Sequence, residues 1–210
     1  MAHPLQPLPL KTTRAKKLSR AASKVQSILE TSKDPEASYT ALSQADRAAF
    51  DAYFLPAQYE DTVTFGPEVA QSSEEVQFSS LVNTTQFDSV LATAAATTKC
   101  KGAKVERVMK NSLGGNLWTQ GTEGTWCWKG SKVTSAKFGR SWSVMHAALW
   151  QDKGQIGKGA GVSGSYGRIW AQRKYTLGTG GWDIQTSTPC VRLSGNASGG
   201  YTNQAVCSIY

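Results

Sequence analysis

The first 98 residues of this chain contain no tryptophan and no cysteine, and Gly66 is their one glycine. Beyond residue 98 acids are scarce, with only Glu106, Glu123, Asp152 and Asp183. Nowhere is there an apolar run of about 18 residues, which excludes a helix that spans a bilayer. There are only two histidines, His3 and His146, and no C-x-x-C pair, so neither a zinc ribbon nor a mixed Cys/His metal site is expected. G-x-S-x-G, H-E-x-x-H and P-loop motifs are missing, which removes the commonest hydrolase, metalloprotease and nucleotide-binding signatures. The N-terminus, MAHPLQPLPLKTTRAKK, lacks a basic n-region and an apolar h-region, so no standard signal peptide is visible.

What is present is unevenly distributed. All seven tryptophans (Trp118, Trp126, Trp128, Trp142, Trp150, Trp170 and Trp182), all four cysteines and nineteen of the twenty glycines lie after residue 98. Two physically different units are joined in one chain, whose 210 residues fit a large domain or a small domain with an extension. The net charge of +8 is divided as well. Residues 1–24 carry six basic side chains and no acid, residues 25–98 carry eleven acids against Lys33 and Arg47, and residues 99–210 carry fifteen basic residues against four acids. Opposite charges on adjacent segments attract, so the acidic stretch is a candidate intramolecular partner that shields a cationic domain until removed or displaced.

Three prolines in residues 1–10 predict an extended start. Leu18, Ala21, Ala22, Val25, Ile28 and Leu29 then follow helical spacing, with lysines opposite. Lys33-Asp34-Pro35 breaks this helix. A second spans Ser43 to Leu55, opened by Ser43 with Asp46 three residues on and ended by Pro56, its apolar side lined by Ala49, Phe50, Tyr53 and Phe54. Short extended pieces such as residues 62–65 follow, and residues 69–98, rich in Ser, Thr, Gln and Ala, read as a linker.

From about Cys100 short runs of Val, Ile, Thr and Trp recur between Gly, Asn and Ser clusters. They predict strands at 104–110, 116–120, 125–128, 132–138, 143–151, 168–177, 182–185, 191–193 and 205–209, with the glycine-rich 153–167 as a loop. Many short strands without intervening helices imply a mainly β fold, an antiparallel β-sandwich over 99–210, preceded by a helical, charged region over 1–68. Cys100, Cys127, Cys190 and Cys207 suit two disulfides, hence an oxidising compartment. Of the three pairings, Cys100–Cys127 and Cys190–Cys207 join expected neighbouring strands, each closing a loop that contributes roughly 3 kcal/mol.

Catalytic chemistry finds no foothold. His146 sits in the apolar stretch Ser143-Val144-Met145-His146-Ala147, where a packed or edge residue is the ordinary reading, and the four acids of the β region form no distinctive pair. No catalytic residue, metal or cofactor is expected, and the chain reads as non-enzymatic. Trp126 and Trp128 flank Cys127, so in a strand they share a face opposite the cysteine. If that cysteine faces inward the tryptophans face solvent, and with Lys129 and Lys132 they form a candidate contact patch for an anionic partner.

The stretch Thr125-Trp126-Cys127-Trp128-Lys129-Gly130-Ser131-Lys132-Val133-Thr134-Ser135, together with Cys100, Cys190 and Cys207, resembles a pattern in small secreted proteins of actinobacteria and similar soil bacteria. Leu42-Ser43-x-x-Asp46-x-x-Ala49-Phe50 is similar to the region preceding the domain in those proteins. The resemblance implies export, disulfides and a β-sandwich, and carries no activity. The expected role is that of an extracellular or cell-surface protein binding an anionic polysaccharide or cell-envelope surface. The alternatives are a virion or particle-surface protein docked on a large scaffold through its N-terminal helices, and a cationic antibacterial toxin with an acidic pro-segment. Nucleic acid becomes a partner only if the chain is intracellular.

Overall fold

A computed structural model describes residues 10–71 and 98–210. Three helices, α1 (Leu10–Thr31), α2 (Pro35–Thr40) and α3 (Gln44–Phe54), precede nine strands in the described residues. These are β1 (Gln58–Gln71), β2 (Thr98–Lys110), β3 (Asn116–Lys129), β4 (Lys132–Met145), β5 (Trp150–Ser163), β6 (Tyr166–Thr179), β7 (Trp182–Ser187), β8 (Cys190–Asn196) and β9 (Tyr201–Gln204). More than half of the described residues lie in strands. One antiparallel sheet runs β1-β2-β3-β4, and the other β5-β6-β8-β9 with β7 pairing β6. They pack face to face as a β-sandwich without closing into a barrel.

Local chemistry sets the helix ends. The Ser43 side chain accepts a hydrogen bond from the Asp46 amide at 3.1 Å and donates to Asp46 Oδ2 at 2.8 Å, a reciprocal cap at the start of α3. Asp34 caps α2, accepting from the Ala37 amide at 2.9 Å. At the other end of α3 the carbonyls of Ala52, Tyr53 and Phe54, which a helix leaves without internal partners, accept from Ser112 Oγ (3.0 Å), Asn111 Nδ2 (2.6 Å) and Trp150 Nε1 (2.7 Å). Polar groups of the sandwich therefore terminate the helix.

Ala22, Val25 and Leu29 of α1, with Phe50 and Phe54 of α3, share one core with Leu117, Trp118, Trp150, Tyr175 and Leu177. The helices complete this core, and Trp118 stacks on Tyr175 with ring centroids 4.7 Å apart. A second cluster fills the far end of the sandwich with Ala103, Val105, Trp126, Trp128, Val133, Val191 and Leu193.

Several expectations are corrected. The sandwich begins at residue 58: β1 is an edge strand paired with β2 from Gln58↔Lys110 to Gln71↔Thr98. The expected linker thus gives residues 69–71 to β1 and residue 98 to β2, while 72–97 lie outside the described residues. The glycine-rich 153–167 is mostly strand β5, because Gly157 and Gly159 leave room for the indole of Trp170 on the neighbouring strand. The single strand expected over 143–151 is two strands joined by a turn that holds Leu149 at φ 66°. Residues 205–209 are not a strand. They form a tail held by Cys190–Cys207, by Arg192 Nη1 on the carbonyl of Ser208 (2.9 Å), and by Arg168 Nη1 on that of Ile209 (2.7 Å).

Cys100–Cys127 and Cys190–Cys207 are both bonded. Cys100 and Cys127 lie directly opposite on β2 and β3, their Cα atoms 4.0 Å apart. Two disulfides point to a compartment other than the reducing cytoplasm.

Candidate functional site

The charge contrast between the segments is resolved inside the first sheet. Acids of β1 pair with cations of β2: Glu68 with Lys99 at 2.9 Å, Glu60 with Lys110 at 2.7 Å, and Asp61 with Arg107. Asp61 takes Arg107 in a two-pronged bond (2.7 and 2.6 Å), and the remaining nitrogen, Nη1, donates to the Cys190 carbonyl of the opposite sheet at 3.1 Å. Arg107 is almost wholly buried, so this pair ties the two sheets together.

Trp126 and Trp128 share a face, as strand geometry requires, and that face is the inner one: they are 0% and 4% exposed. Trp126 sits against Gly167 and Gly195, where a Cβ would collide with it, and its Nε1 donates to the Asn196 carbonyl at 3.1 Å. Trp126 and Trp128 are therefore not the solvent-facing pair that the expected contact patch requires. The second sheet covers the side of β3 that carries them, and the disulfide rides the outer side. Lys129 and Lys132 are exposed, opposite one another at the β3–β4 turn around Gly130 (φ +57°). Beside this turn a shallow depression of about 440 Å³ is lined by Ser131, Ser165, Asn196 and Ser198.

These two lysines begin a longer row along β4, the last strand of its sheet among the described residues. Lys132, Lys137 and Arg140 are exposed along it, and Lys158 of β5 reaches in with its ammonium 5.1 Å from the Phe138 ring centroid. No acid occurs between Glu123 and Asp152. At the end of the row Trp142 is partly exposed on the outer face and lies over Gly121 of β3, where any Cβ would overlap the indole. The Arg140 guanidinium is 5.2 Å from the Trp142 ring centroid, and its Nε donates to Glu123 Oε1 at 2.8 Å. From Lys132 to Trp142 the strand runs about 33 Å.

Arg140 and Trp142 are two residues apart in a strand, the same signal that singled out Trp126 and Trp128. Gly121, the pairing partner of Trp142, is what marks the outward indole, and pairing partners emerge only with the register. Just beyond the end of β4 a cleft of about 660 Å³ lies between α1 and the 111–117 turn, with Lys16, Arg20 and His146 at its rim. Phe54 and Leu117 close its floor and are themselves fully buried. His146 is exposed, its Nε2 2.8 Å from Thr119 Oγ1. Among the described residues no group of three His, Cys, Asp or Glu side chains is placed to hold a metal ion.

Fold and surface define a helix-capped, disulfide-linked, two-sheet β-sandwich with a cationic edge. The chain matches no family model, and comparison with curated proteins and with solved structures finds no match.

Proposed function

We propose that this protein is an exported, non-enzymatic binding module for an anionic envelope polymer or glycan, held along the outer edge formed by β4. The observation that carries this reading is the row of exposed cations formed by Lys129 and Lys132 at the β3–β4 turn and by Lys137 and Arg140 along β4, a strand with no carboxylate of its own, which leads to Trp142. A linear polyanion meets a cation every few residues along such an edge, and its counterions are released on binding. The two disulfides suit an extracellular setting. A removable pro-segment over residues 1–98 is the weaker reading, because its loss strips edge strand β1 from the sheet and uncovers Trp118, Trp150 and Tyr175.

The test is retention of the full chain on immobilised polygalacturonate, dextran sulfate and dextran over a salt gradient. Salt-sensitive retention on the charged polymers and none on dextran is expected. Lys129→Gln/Lys132→Gln, at the exposed β3–β4 turn, should elute at markedly lower salt with unchanged melting temperature. Equal retention of this variant, or no retention of the parent chain, refutes the proposal.

A further inference from the structure

The far end of the cationic row differs chemically from the rest. A lysine head offers a point charge, whereas the Arg140 guanidinium is planar and anchored from behind. Glu123, its side chain 5% exposed, takes only the Nε edge of a guanidinium whose own side chain is 71% exposed. The Nη1 and Nη2 edge is turned away from Glu123 toward solvent, and a guanidinium so fixed offers two parallel donors matched to a carboxylate. Immediately beside it the indole of Trp142 rests on Gly121 with the Arg140 guanidinium 5.2 Å from its ring centroid, and the part of the indole left exposed gives an apolar surface for a sugar ring.

Resting on the polyanion-binding reading above, we infer that Arg140 and Trp142 form a subsite that recognises hexuronate units. One pyranose ring stacks on Trp142 while its carboxylate forks onto Arg140. Glu123 is the positioning residue that holds the guanidinium in place. A uronate carboxylate is bonded directly to the ring and so falls within reach of a guanidinium adjacent to the stacked ring. Sulfate esters hang on exocyclic oxygens and are served equally well by the lysines. The subsite therefore adds selectivity for uronate to an edge that otherwise reads charge alone.

The experiment is calorimetric titration of the full chain with galacturonate oligomers and, in parallel, with dextran sulfate fragments. Arg140→Lys and Trp142→Ala are each expected to weaken galacturonate binding by about 10-fold or more, with dextran sulfate changed less than about 3-fold. Glu123→Gln keeps an acceptor for Nε and should retain the galacturonate preference, while Glu123→Ala should lose it. Melting curves confirm that each variant is folded. Equal losses on both polymers, or none, overturn the uronate subsite and leave the charge-reading edge intact. A parent chain that binds neither polymer overturns the functional proposal itself.

Discussion

Trp126→Ala is expected to destabilise the fold by about 4 kcal/mol without touching the binding edge. The indole is fully buried; an aromatic of this size removes about 200 Å² from water, worth about 5 kcal/mol at 25 cal/mol per Å². Compactness of the unfolded chain lowers this to roughly 3–4 kcal/mol. Loss of the bond from Nε1 to the Asn196 carbonyl adds about 1 kcal/mol. The cavity cannot refill, because Gly167 and Gly195 on its walls have no side chains to swing inward. Urea denaturation with disulfides intact, followed by circular dichroism, should show a reduced midpoint at unchanged slope, and Tm should fall by roughly 8–16 °C. Trp142→Ala, which removes an indole left partly exposed on the outer face, should cost less, about 1–2 kcal/mol. A loss below about 1.5 kcal/mol at Trp126, or equal losses at the two sites, refutes the assignment of one tryptophan to the core and the other to the surface.

Asp61→Asn leaves Arg107 buried without its carboxylate and should cost about 3 kcal/mol by urea titration; Asp61→Leu/Arg107→Met should be less damaging than the single change. Removing the Cys100–Cys127 bridge as a double alanine variant should cost roughly 3–4 kcal/mol for its sequence separation of 27, and a loss below about 1 kcal/mol contradicts the chain-entropy account. Burial pushes the Tyr175 phenol up from 10.0 to about 12. Because the folded value lies above the unfolded one, its contribution is complete below pH 10.0 and is lost as pH rises to about 12. The loss amounts to about 2–3 kcal/mol. Tyr175→Phe should flatten the fall in stability over that window, and an unchanged alkaline slope counts against it.

The β class, both disulfides and the two longer helices were legible because each rests on a local signal. Apolar spacing marks α1, the Ser43–Asp46 cap opens α3, and cysteines lie near strands that become neighbours. Strand β5 was hidden because its glycines, which in isolation mark a loop, are spaces reserved for Trp170. The facing of Trp126 and Trp128 was half legible. Alternation put both on one side of β3, but which side is covered depends on the second sheet, a contact far away in sequence. Gly121 gained its meaning only when the register placed it under Trp142. The helices were read as a separate region because their apolar stripe is narrow, yet that stripe is the lid of the main core.

The shared core also fixes an order of events during synthesis. The Phe54 carbonyl waits 96 residues for Trp150, and Tyr175 comes later still. At ordinary elongation rates this interval is roughly 5–20 s. Throughout it Val25, Leu29, Phe50 and Phe54 have only the contact between α1 and α3 to close on. The six basic side chains of residues 1–24, unrelieved by any acid there, keep the nascent helix α1 self-repelling while it waits.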